Sequence, residues 1–598
     1  MFKSFRFLLK YIWKFNKMYI VYISALQLFS AALPLLSTVM SKYIIDELTT
    51  DRRVDRLILL VSILIGYNLI GGWMITFLNG RCFTSKGIVF QKFQTFMAEK
   101  LSLCDLEQLE DPEFLDAKEK AQQFLYANGQ GFGVALDSAI KIIGKIFVFA
   151  GLIVILSTLN IFVVLLFIAI VLVSGYFESK VRADYVKWDM EKTPIERKTG
   201  YYMDLNEDFS YGKEIRLYNF REKLVSKISE HLRLSNEFYK KQTKDFNRVR
   251  YFNTAVSFVR EAISYGYLIW QMVAGVIAIG DFTMYLSALA QFSGAMNEVM
   301  SSILDMKQYG AYYNELEKYM NIPATMREGE KLPLPDGEYE IEFKEVSFRY
   351  PGQTDYALRD VNIVIHAGEK LSVVGENGAG KTTFVKLLTR MYDPTSGSIS
   401  LNGIDIRRID YDKYQSVLSA VFQDFQLFSF TLRENIVLGT REPNDDSEVI
   451  ECLKKSGFGD KLERLEKGIY TNVYKNFEPD GFEPSGGEAQ KIALARALYK
   501  DAPIVILDEP NAALDPRAEY ELYQQFNDLV RGKTAIYISH RLSSAKFCDR
   551  IAVFKTGTIA ECGTHGELMK KHGLYAELFN MQAQYYVDSD AVSETAKV

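Results

Sequence analysis

The residues best suited to chemistry lie in the second half of the chain, in an ordered series of short motifs. The first motif is G-x-x-x-x-G-K-[ST], which runs from Gly375 to Thr382. An apolar, strand-like run, Leu371–Val374, precedes it, and a helix start at Thr382–Leu388 follows. In this context backbone N–H groups wrap phosphate oxygens, and the helix N-terminus adds a favourable dipole. We therefore expect the following residues to hold the phosphates of a nucleotide: Gly375, Glu376, Asn377, Gly378, Ala379, Gly380, Lys381, Thr382 and Thr383.

Within this loop and after a second apolar strand, side chains suited to phosphoryl transfer appear. Lys381 is expected to reach the β- and γ-phosphates, and Thr382 to give an oxygen to Mg²⁺. Four apolar residues, Ile504–Leu507, precede Asp508, which should emerge at the end of a buried strand near the metal. Glu509 follows at once and is expected to polarise the attacking water; the alternative is a second Mg²⁺ ligand.

Three further motifs fit the same chemistry. Gln423 comes first, then Ser485-Gly486-Gly487-Glu488, then His540. The serine supplies a hydroxyl, and the glycines expose amides at a predicted helix N-terminus. His540 ends an apolar strand, Ala535–Ile538, although a lone histidine is more often structural. The ordered set predicts that the chain binds and hydrolyses ATP with Mg²⁺.

The composition divides the 598 residues into an apolar first half and an ordinary second half. Six apolar segments in the first half are long enough to cross a hydrocarbon core, which needs about 20 helical residues. The formal net charge of −5 gives no sign of a nucleic-acid partner, and we expect none. The five cysteines lack paired spacing, which argues against a disulfide framework or a zinc site. The segments lie near residues 18–45, 57–80, 134–158, 161–181, 255–280 and 282–303.

The connections between these segments predict their orientation. The first, third and fifth are short, whereas the second and fourth (81–133 and 182–254) are long, charged and helical in periodicity. An even number of spans places both termini on one side, and a half that uses ATP must be cytosolic. We therefore expect spans that continue deep into the cytosol. At their tips, Asp111–Leu115 and Glu214–Tyr218 are candidate short helices that contact the ATP-binding half; the alternative is a solvated turn.

The chain ends and a linker complete the predicted domain organisation. Phe2–Phe15 is a basic amphipathic segment, either a helix on the inner membrane surface or a cytosolic lead-in to the first span. Prolines and Asp336-Gly337 mark a linker. The sequence predicts a multidomain protein, with an all-α six-helix transmembrane domain followed by an α/β P-loop NTPase domain. The parts are a transmembrane domain at 1–320, a linker at 321–338, a nucleotide-binding domain at 339–587 and a disordered tail at 588–598.

Residues 339–587 resemble the nucleotide-binding domain of ABC transporters, motif by motif. Tyr350 resembles the aromatic residue that stacks on adenine, and Gln423 resembles the Q-loop glutamine that contacts Mg²⁺ and water. Ser485-Gly486-Gly487 resembles the signature that binds the γ-phosphate of the ATP held by the opposite domain. Asp515 resembles the D-loop aspartate, and His540 resembles the switch histidine that contacts the γ-phosphate.

Two residues depart from the family pattern. Pro484 stands before the signature serine, where leucine is usual, and Glu488 stands where glutamine is commoner. Proline at a first helical position loses no hydrogen bond, so we expect a working signature. The alternative is a weakened signature, as in transporters that pair two different halves.

A membrane half before a single ATPase half resembles an ABC exporter half-transporter. The resemblance implies a second half-transporter, the same chain or a related one, because each signature must meet a P-loop on another chain. ATP binding would close the two ATPase domains, and hydrolysis would reset them as a substrate is exported or flipped outward. Two other classes share the motifs: an ATP-gated channel, and a sensory or regulatory module with slow ATPase. The six apolar segments exclude a soluble ABC ATPase.

Polar residues inside the spans are candidates for substrate contact. Lys145 lies deep in a predicted span, where a charge costs about 3 kcal/mol and must face protein or a water-filled cavity. Asn68, Trp270, Gln271 and Glu298 are further candidates, and interhelical packing is the alternative for all five. The cargo stays open between a peptide, a lipid and an amphipathic drug-like molecule. Low cysteine use and no transit peptide favour a prokaryotic plasma membrane.

Overall fold

The computed structural model describes residues 2–50, 52–126, 131–157, 159, 161–328, 330–439, 445–508, 530, 532–539 and 542–582. The chain divides into two compact units. The first comprises Met1–Cys104 and Asp111–Pro323, and the second comprises Asp105–Glu110 and Ala324–Val598. The short segment Asp105–Glu110 therefore belongs by its contacts to the second unit, although both of its sequence neighbours belong to the first.

Long helices build the first unit. Among the residues that the structure describes, three helices are long and apolar enough to cross a membrane: Lys17–Thr49, Val54–Ser102 and Gly133–Ser157. The fourth and sixth predicted spans lie at the start of helices that continue well beyond the apolar segment. The fifth lies at the end of a helix that begins well before it. The helices of this half are α1 (Phe2–Phe15), α2 (Lys17–Thr49), α3 (Val54–Ser102), α4 (Leu106–Glu110, in the second unit), α5 (Pro112–Tyr126), α6 (Phe132–Ser157), α7 (Ile161–Glu207), α8 (Gly212–Leu217), α9 (Arg221–Val273) and α10 (Ile279–Met320).

The predicted fifth span, 255–280, extends past the end of its helix. Helix α9 ends at Val273, because Gly275 adopts a φ of 72° that an L-residue rarely takes. The N–H of Gly275 donates to Met272 O at 3.1 Å, and the N–H of Val276 donates to Gln271 O at 3.1 Å. These two bonds form a Schellman motif, so the last residues of the predicted span form a turn.

The second unit contains two sheets. The six-stranded sheet has the order β10-β9-β3-β8-β7-β6, and the four-stranded sheet has the order β2-β1-β4-β5. Strand β3 pairs in parallel with β8 and β9, and β7 pairs in parallel with β6 and β8. The strands are β1 (Ile341–Phe348), β2 (Leu358–Ile365), β3 (Lys370–Gly375), β4 (Ser396–Leu401), β5 (Ile404–Asp405), β6 (Leu418–Val421), β7 (Ile504–Asp508), β8 (Thr534–Ile538), β9 (Arg550–Lys555) and β10 (Thr558–Gly563).

The predicted α/β character of this half is confirmed. Strands β7 and β8 are buried along their whole length, which explains why their sequences are continuous apolar runs. The antiparallel four-stranded sheet lies outside the strands that the sequence analysis above identifies. The helices are α11 (Lys381–Leu388), α12 (Tyr411–Ser416), α13 (Leu432–Val437), α14 (Ser447–Lys455), α15 (Gly459–Leu462), α16 (Gly486–Lys500), α17 (Leu542–Ala545) and α18 (His565–Lys571).

Candidate nucleotide-binding site

The parallel strands bring the candidate residues to one edge of the six-stranded sheet. Val373 of β3 and Asp508 of β7 both pair with Ile538 of β8. Val421 of β6 pairs with Leu507 of β7. The carboxyl ends of four adjacent strands therefore meet at this edge, where α/β sheets bind their ligands.

The phosphate-binding loop joins β3 to α11, and two of its glycines make close approaches. Gly375 has a φ of 150°, and a Cβ atom there would lie 2.4 Å from Phe554 O. Gly380, the N-cap of α11, has a φ of 104°, and a Cβ atom there would lie 2.6 Å from a Leu358 methyl group. Only glycine fits both positions, so the loop can bring its backbone N–H groups together. The helix starts at Lys381, one residue before the predicted start.

Lys381 folds back over the loop. Its Nζ atom donates to Gly375 O at 2.9 Å and to Glu376 O at 3.0 Å, and the residue is only 5% exposed. The ammonium therefore lies against the concave side of the loop, where phosphate oxygens could replace the two carbonyls. Thr382, in the first turn of α11, is exposed.

Thr383 and Tyr350 contact each other. Their hydroxyl oxygens lie 3.1 Å apart, and Thr383 is buried. The Tyr350 ring is half-buried and packs edge to face against Phe348 at 5.0 Å between centroids. Lys386 Nζ lies 5.3 Å from the centroid of the same ring. The hydroxyl of Thr383 is thus engaged within the protein, and the predicted nucleotide contacts of both residues stay predictions.

Oxygen donors suited to Mg²⁺ come from three elements. Asp508 ends β7 and is 1% exposed, Gln423 follows β6, and Thr382 lies at the start of α11. Among the described residues, no group of three or more His, Cys, Asp or Glu side chains could hold a metal by itself. A few oxygen donors beside nucleotide phosphates suit Mg²⁺, which seldom uses an all-protein cage.

The signature segment caps helix α16. Ser485 is the N-cap, and its Oγ atom accepts a bond from the N–H of Glu488 at 3.4 Å. The helix begins at Gly486, so Pro484 precedes the cap. The prediction that Pro484 occupies the first helical position is therefore wrong. The serine takes the cap because its hydroxyl can accept from the first turn, which proline cannot do. Ser485 and Gly486 are exposed.

Glu488 completes a reciprocal capping box and forms an ion pair. Its Oε2 atom accepts the N–H of Ser485 at 2.8 Å and the hydroxyl of Ser485 at 2.9 Å. Its Oε1 atom lies 3.0 Å from Lys461 Nζ. The Ser485 N–H, together with the lysine ammonium, lowers the pKa of Glu488, so its carboxylate is charged at neutral pH. Lys461 is not among the residues predicted from the sequence, because no local signal joins α15 to α16.

A buried asparagine, also not predicted, organises the loop after Gln423. Asn435 is fully buried; its Nδ2 atom donates to Phe428 O at 2.9 Å, and its Oδ1 atom accepts the N–H of Phe428 at 2.9 Å. Arg496 of the signature helix donates to Asn435 O at 2.8 Å and to Gln426 O at 3.2 Å. The Gln423 loop and α16 are therefore tied together.

Helix α4, which precedes the predicted segment Asp111–Leu115, packs within the second unit. Tyr392 donates a hydrogen bond to the Glu110 carboxylate, and Leu106 packs on the core of the second unit. Burial, with the nearby Glu110 charge, raises the pKa of Tyr392 and keeps its hydroxyl a donor. Pro112 starts the next helix, α5, so the predicted segment belongs to the first unit.

The second predicted tip, Glu214–Tyr218, lies mostly in α8. Leu217 and Tyr218 are more than three-quarters exposed in the single chain. Three predicted site residues, Glu509, Asp515 and His540, lie outside the described residues.

The polar residues of the predicted spans have protein partners in most cases. Lys145 of α6 pairs with Glu298 of α10, with 2.7 Å between Nζ and Oε2. Asn68 donates to Leu64 O at 2.8 Å, and Gln271 donates to the Tyr267 hydroxyl at 3.0 Å. Trp270 is 64% exposed. The lysine charge is thus offset by a second candidate, a long-range pairing that sequence spacing does not reveal.

Comparisons with known proteins agree on one family. The profile described as "ABC transporter" matches residues 358–512. The chain is 31% identical over 563 residues to the subtilin transport ATP-binding protein SpaT of Bacillus subtilis, covering 91% of this chain and 89% of that one. It is 28% identical over 600 residues to the nisin transport ATP-binding protein NisT of Lactococcus lactis subsp. lactis, covering 97% and 96%.

Two other similarities support less: one covers about half of each chain, and the other shows the fold alone. An ATP-dependent lipid A-core flippase of Bordetella avium is 35% identical over 312 residues, which is 52% of each chain. A solved bacterial Atm1-family ABC exporter with ATP bound superimposes with a TM-score of 0.75 at 21% identity. That superposition covers 94% of this chain and 97% of the other, and it concerns the fold.

Proposed function

The chain belongs to the ABC transporter family as an exporter that couples ATP hydrolysis to transport, and we propose that its cargo is an amphipathic peptide. One observation carries this proposal. The two relatives that match along nearly their whole length are named for transport of the peptides subtilin and nisin. The flippase match extends over about half of each chain. Because cargo is recognised by the membrane half, the full-length similarity favours a peptide over a lipid.

We further propose that two copies of the chain work together. The signature residues Ser485 and Gly486 are exposed in the single chain and cap a 15-residue helix, which suits them to bind a phosphate presented by another molecule. In a symmetric dimer each signature would meet the P-loop of the partner copy. The retained residues Glu509 and His540 give each site its own hydrolytic groups, which supports a homodimer.

The proposed hydrolytic roles follow from the chemistry of the residues at the carboxyl edge of the six-stranded sheet. Lys381 and the loop N–H groups would bind the phosphates, and Thr382, Gln423 and Asp508 would hold Mg²⁺. When bound, Mg²⁺ neutralises charge on the β- and γ-phosphates. Glu509 would orient and deprotonate the attacking water, and His540 would contact the γ-phosphate.

The proposed location is a bacterial plasma membrane, with both termini and the ATPase unit in the cytosol. The predicted spans and their short connections support six crossings. Within the described part of the chain, three helices are long and apolar enough to cross on their own.

ATPase activity of the purified chain in lipid nanodiscs tests the dimer and the hydrolytic roles. We expect steady turnover that falls at least about 100-fold in Glu509→Gln, because the general base is lost while ATP binding is kept. Negligible turnover of the wild-type chain would contradict a self-sufficient homodimer and point to a different partner half. Turnover unchanged in Glu509→Gln would contradict the role of Glu509.

Transport into inside-out vesicles tests the cargo. We expect ATP-dependent accumulation of fluorescently labelled nisin in vesicles that contain the wild-type chain, and none with Glu509→Gln. A fluorescent phosphatidylethanolamine serves as the lipid comparison. ATP-dependent movement of the lipid without accumulation of the peptide would overturn the peptide proposal and favour a flippase.

A further inference from the structure

We infer that Lys461 is a positioning residue for ATP binding, because it neutralises the carboxylate that holds the signature serine. The inference rests on the proposed function, in which Ser485 meets the γ-phosphate of ATP held by a partner copy. It assigns a role in that step to a residue of a different helix, α15.

The two oxygens of Glu488 have separate partners. Oε2 accepts both the hydroxyl and the N–H of Ser485, at 2.9 and 2.8 Å. Oε1 faces Lys461 Nζ at 3.0 Å. The hydroxyl proton of Ser485 therefore points to the carboxylate and must turn away from it to donate to a phosphate. The strength of this hydrogen bond from the Ser485 hydroxyl depends on the charge of the carboxylate and on the lysine beside it.

A glutamate at this position creates an electrostatic problem that a glutamine would not. The charged carboxylate lies within hydrogen-bond distance of the hydroxyl that would meet the γ-phosphate, so two negative groups come close and repel each other. The lysine ammonium lies beside the carboxylate and offsets that repulsion. Glu488 and Lys461 thus form a neutral unit next to the proposed phosphate contact.

Lys461 is held in place by its surroundings. Its Nζ atom lies 5.8 Å from the centroid of the Phe482 ring, and Phe482 is only 8% exposed. The side chain of Lys461 is 37% exposed and that of Glu488 is 25% exposed, so solvent screens the pair only in part. An ammonium fixed over a ring and against a carboxylate is more effective than a freely moving surface lysine.

The test measures ATPase activity of the full-length chain in nanodiscs against Mg-ATP concentration, for Lys461→Met, Lys461→Arg, Glu488→Gln and the double variant. Methionine keeps the apolar stem over Phe482 while removing the charge. We expect Lys461→Met to raise the half-saturating ATP concentration about threefold, the scale of a half-exposed ion pair, with little change in maximal rate. Lys461→Arg should stay close to wild type, and the difference should shrink in high salt.

The double variant separates the proposed role from simple structural support. In the Glu488→Gln background no charge needs neutralising, so adding Lys461→Met should leave the half-saturating concentration unchanged. Lys455→Met is the matched control, because Lys455 pairs with Glu451 at 2.6 Å on α14; it should behave like wild type.

Three results would overturn the inference. The first is a half-saturating concentration in Lys461→Met equal to that of the active wild-type chain. The second is an equal increase in both backgrounds, which would indicate a structural role. The third is an inactive wild-type chain, which would overturn the proposed homodimer and this inference with it, and is recognised before any variant is compared.

Discussion

Gly375 and Gly380 fix the shape of the phosphate-binding loop at the scale of single residues. Each has a positive φ, and at each a Cβ atom would come closer than 3 Å to a neighbouring strand or its flanking residues. The motif identified both glycines from the sequence, because phosphate binding requires glycine backbone geometry at these fixed positions of the loop.

Replacing Gly375 with alanine should therefore disable nucleotide binding. The new Cβ atom would lie 2.4 Å from a backbone oxygen, which cannot move without shifting β9. We expect ATP affinity to fall at least about tenfold and the melting temperature to drop by several degrees, about 1–3 kcal/mol of strain. Fluorescent ATP-analogue binding and thermal unfolding measure both.

Gly566→Ala is the control for that substitution. Gly566 lies in helix α18, and a Cβ atom there would have nothing within 4 Å. We expect unchanged ATP binding and a melting temperature equal to or above that of the wild type. Equal behaviour of the two alanine variants would contradict the steric argument.

Two other single-residue interpretations depended on contacts that the sequence spacing did not reveal. Pro484 was placed inside the helix, but the cap formed by Ser485 and Glu488 moves the helix start beyond it. For Lys145 interhelical packing was one of the two alternatives, and its partner Glu298 comes from another helix. Spacing along a sequence predicts local geometry. It does not predict pairing between helices that are far apart in sequence, because that pairing depends on tertiary packing.

At the scale of elements, the sequence predicted the strands of the parallel sheet better than the connections between them. Buried parallel strands are continuous apolar runs and are easy to recognise. The segment from Gln423 to α13 has no such pattern, and its order comes from one buried residue, Asn435, which bonds three carbonyls and one N–H of that segment.

Asn435→Ala should loosen this segment and weaken its link to α16. The substitution leaves buried carbonyls and an N–H without their partner, at a cost of about 1–3 kcal/mol. We expect a lower melting temperature and a several-fold lower ATPase rate, because the backbone that carries Gln423 is no longer held. Thermal unfolding and ATPase assays on the same preparation measure both effects.

The control is Asn476→Ala, which removes a single exposed bond of 2.7 Å to Ser429. Its effect on stability should be within about 0.5 kcal/mol, as for most surface changes. A loss of stability in Asn476→Ala as large as that in Asn435→Ala would argue against the buried network as the cause.

At the scale of the whole molecule, the chain passes between its two units at α4. Helices α3 and α5 belong to the first unit, whereas Asp105–Glu110 packs with the second. The sequence indicated a cytosolic tip here, and the contact segment lies just before the residues that carried the prediction. The prediction followed proline and carboxylates as helix-start signals, and these mark α5 rather than the contact.

A change at this connection should separate transport-linked ATPase activity from basal activity. Glu110 accepts a bond from buried Tyr392, and a bond to a charged group contributes about 1.5–3 kcal/mol. Glu110→Ala removes that bond while every candidate nucleotide-binding residue stays unchanged in sequence. We expect basal ATPase within about twofold of wild type and at least a threefold loss of stimulation by nisin, the probe peptide, in nanodiscs. Because α4 packs with the second unit while the helices on either side belong to the first, loss of this polar contact should reduce the coupling between cargo and ATP.

The control is Glu113→Ala, an exposed change in the first turn of α5, which should keep the full stimulation. Stimulation that persists undiminished in Glu110→Ala would exclude this contact as part of the coupling route.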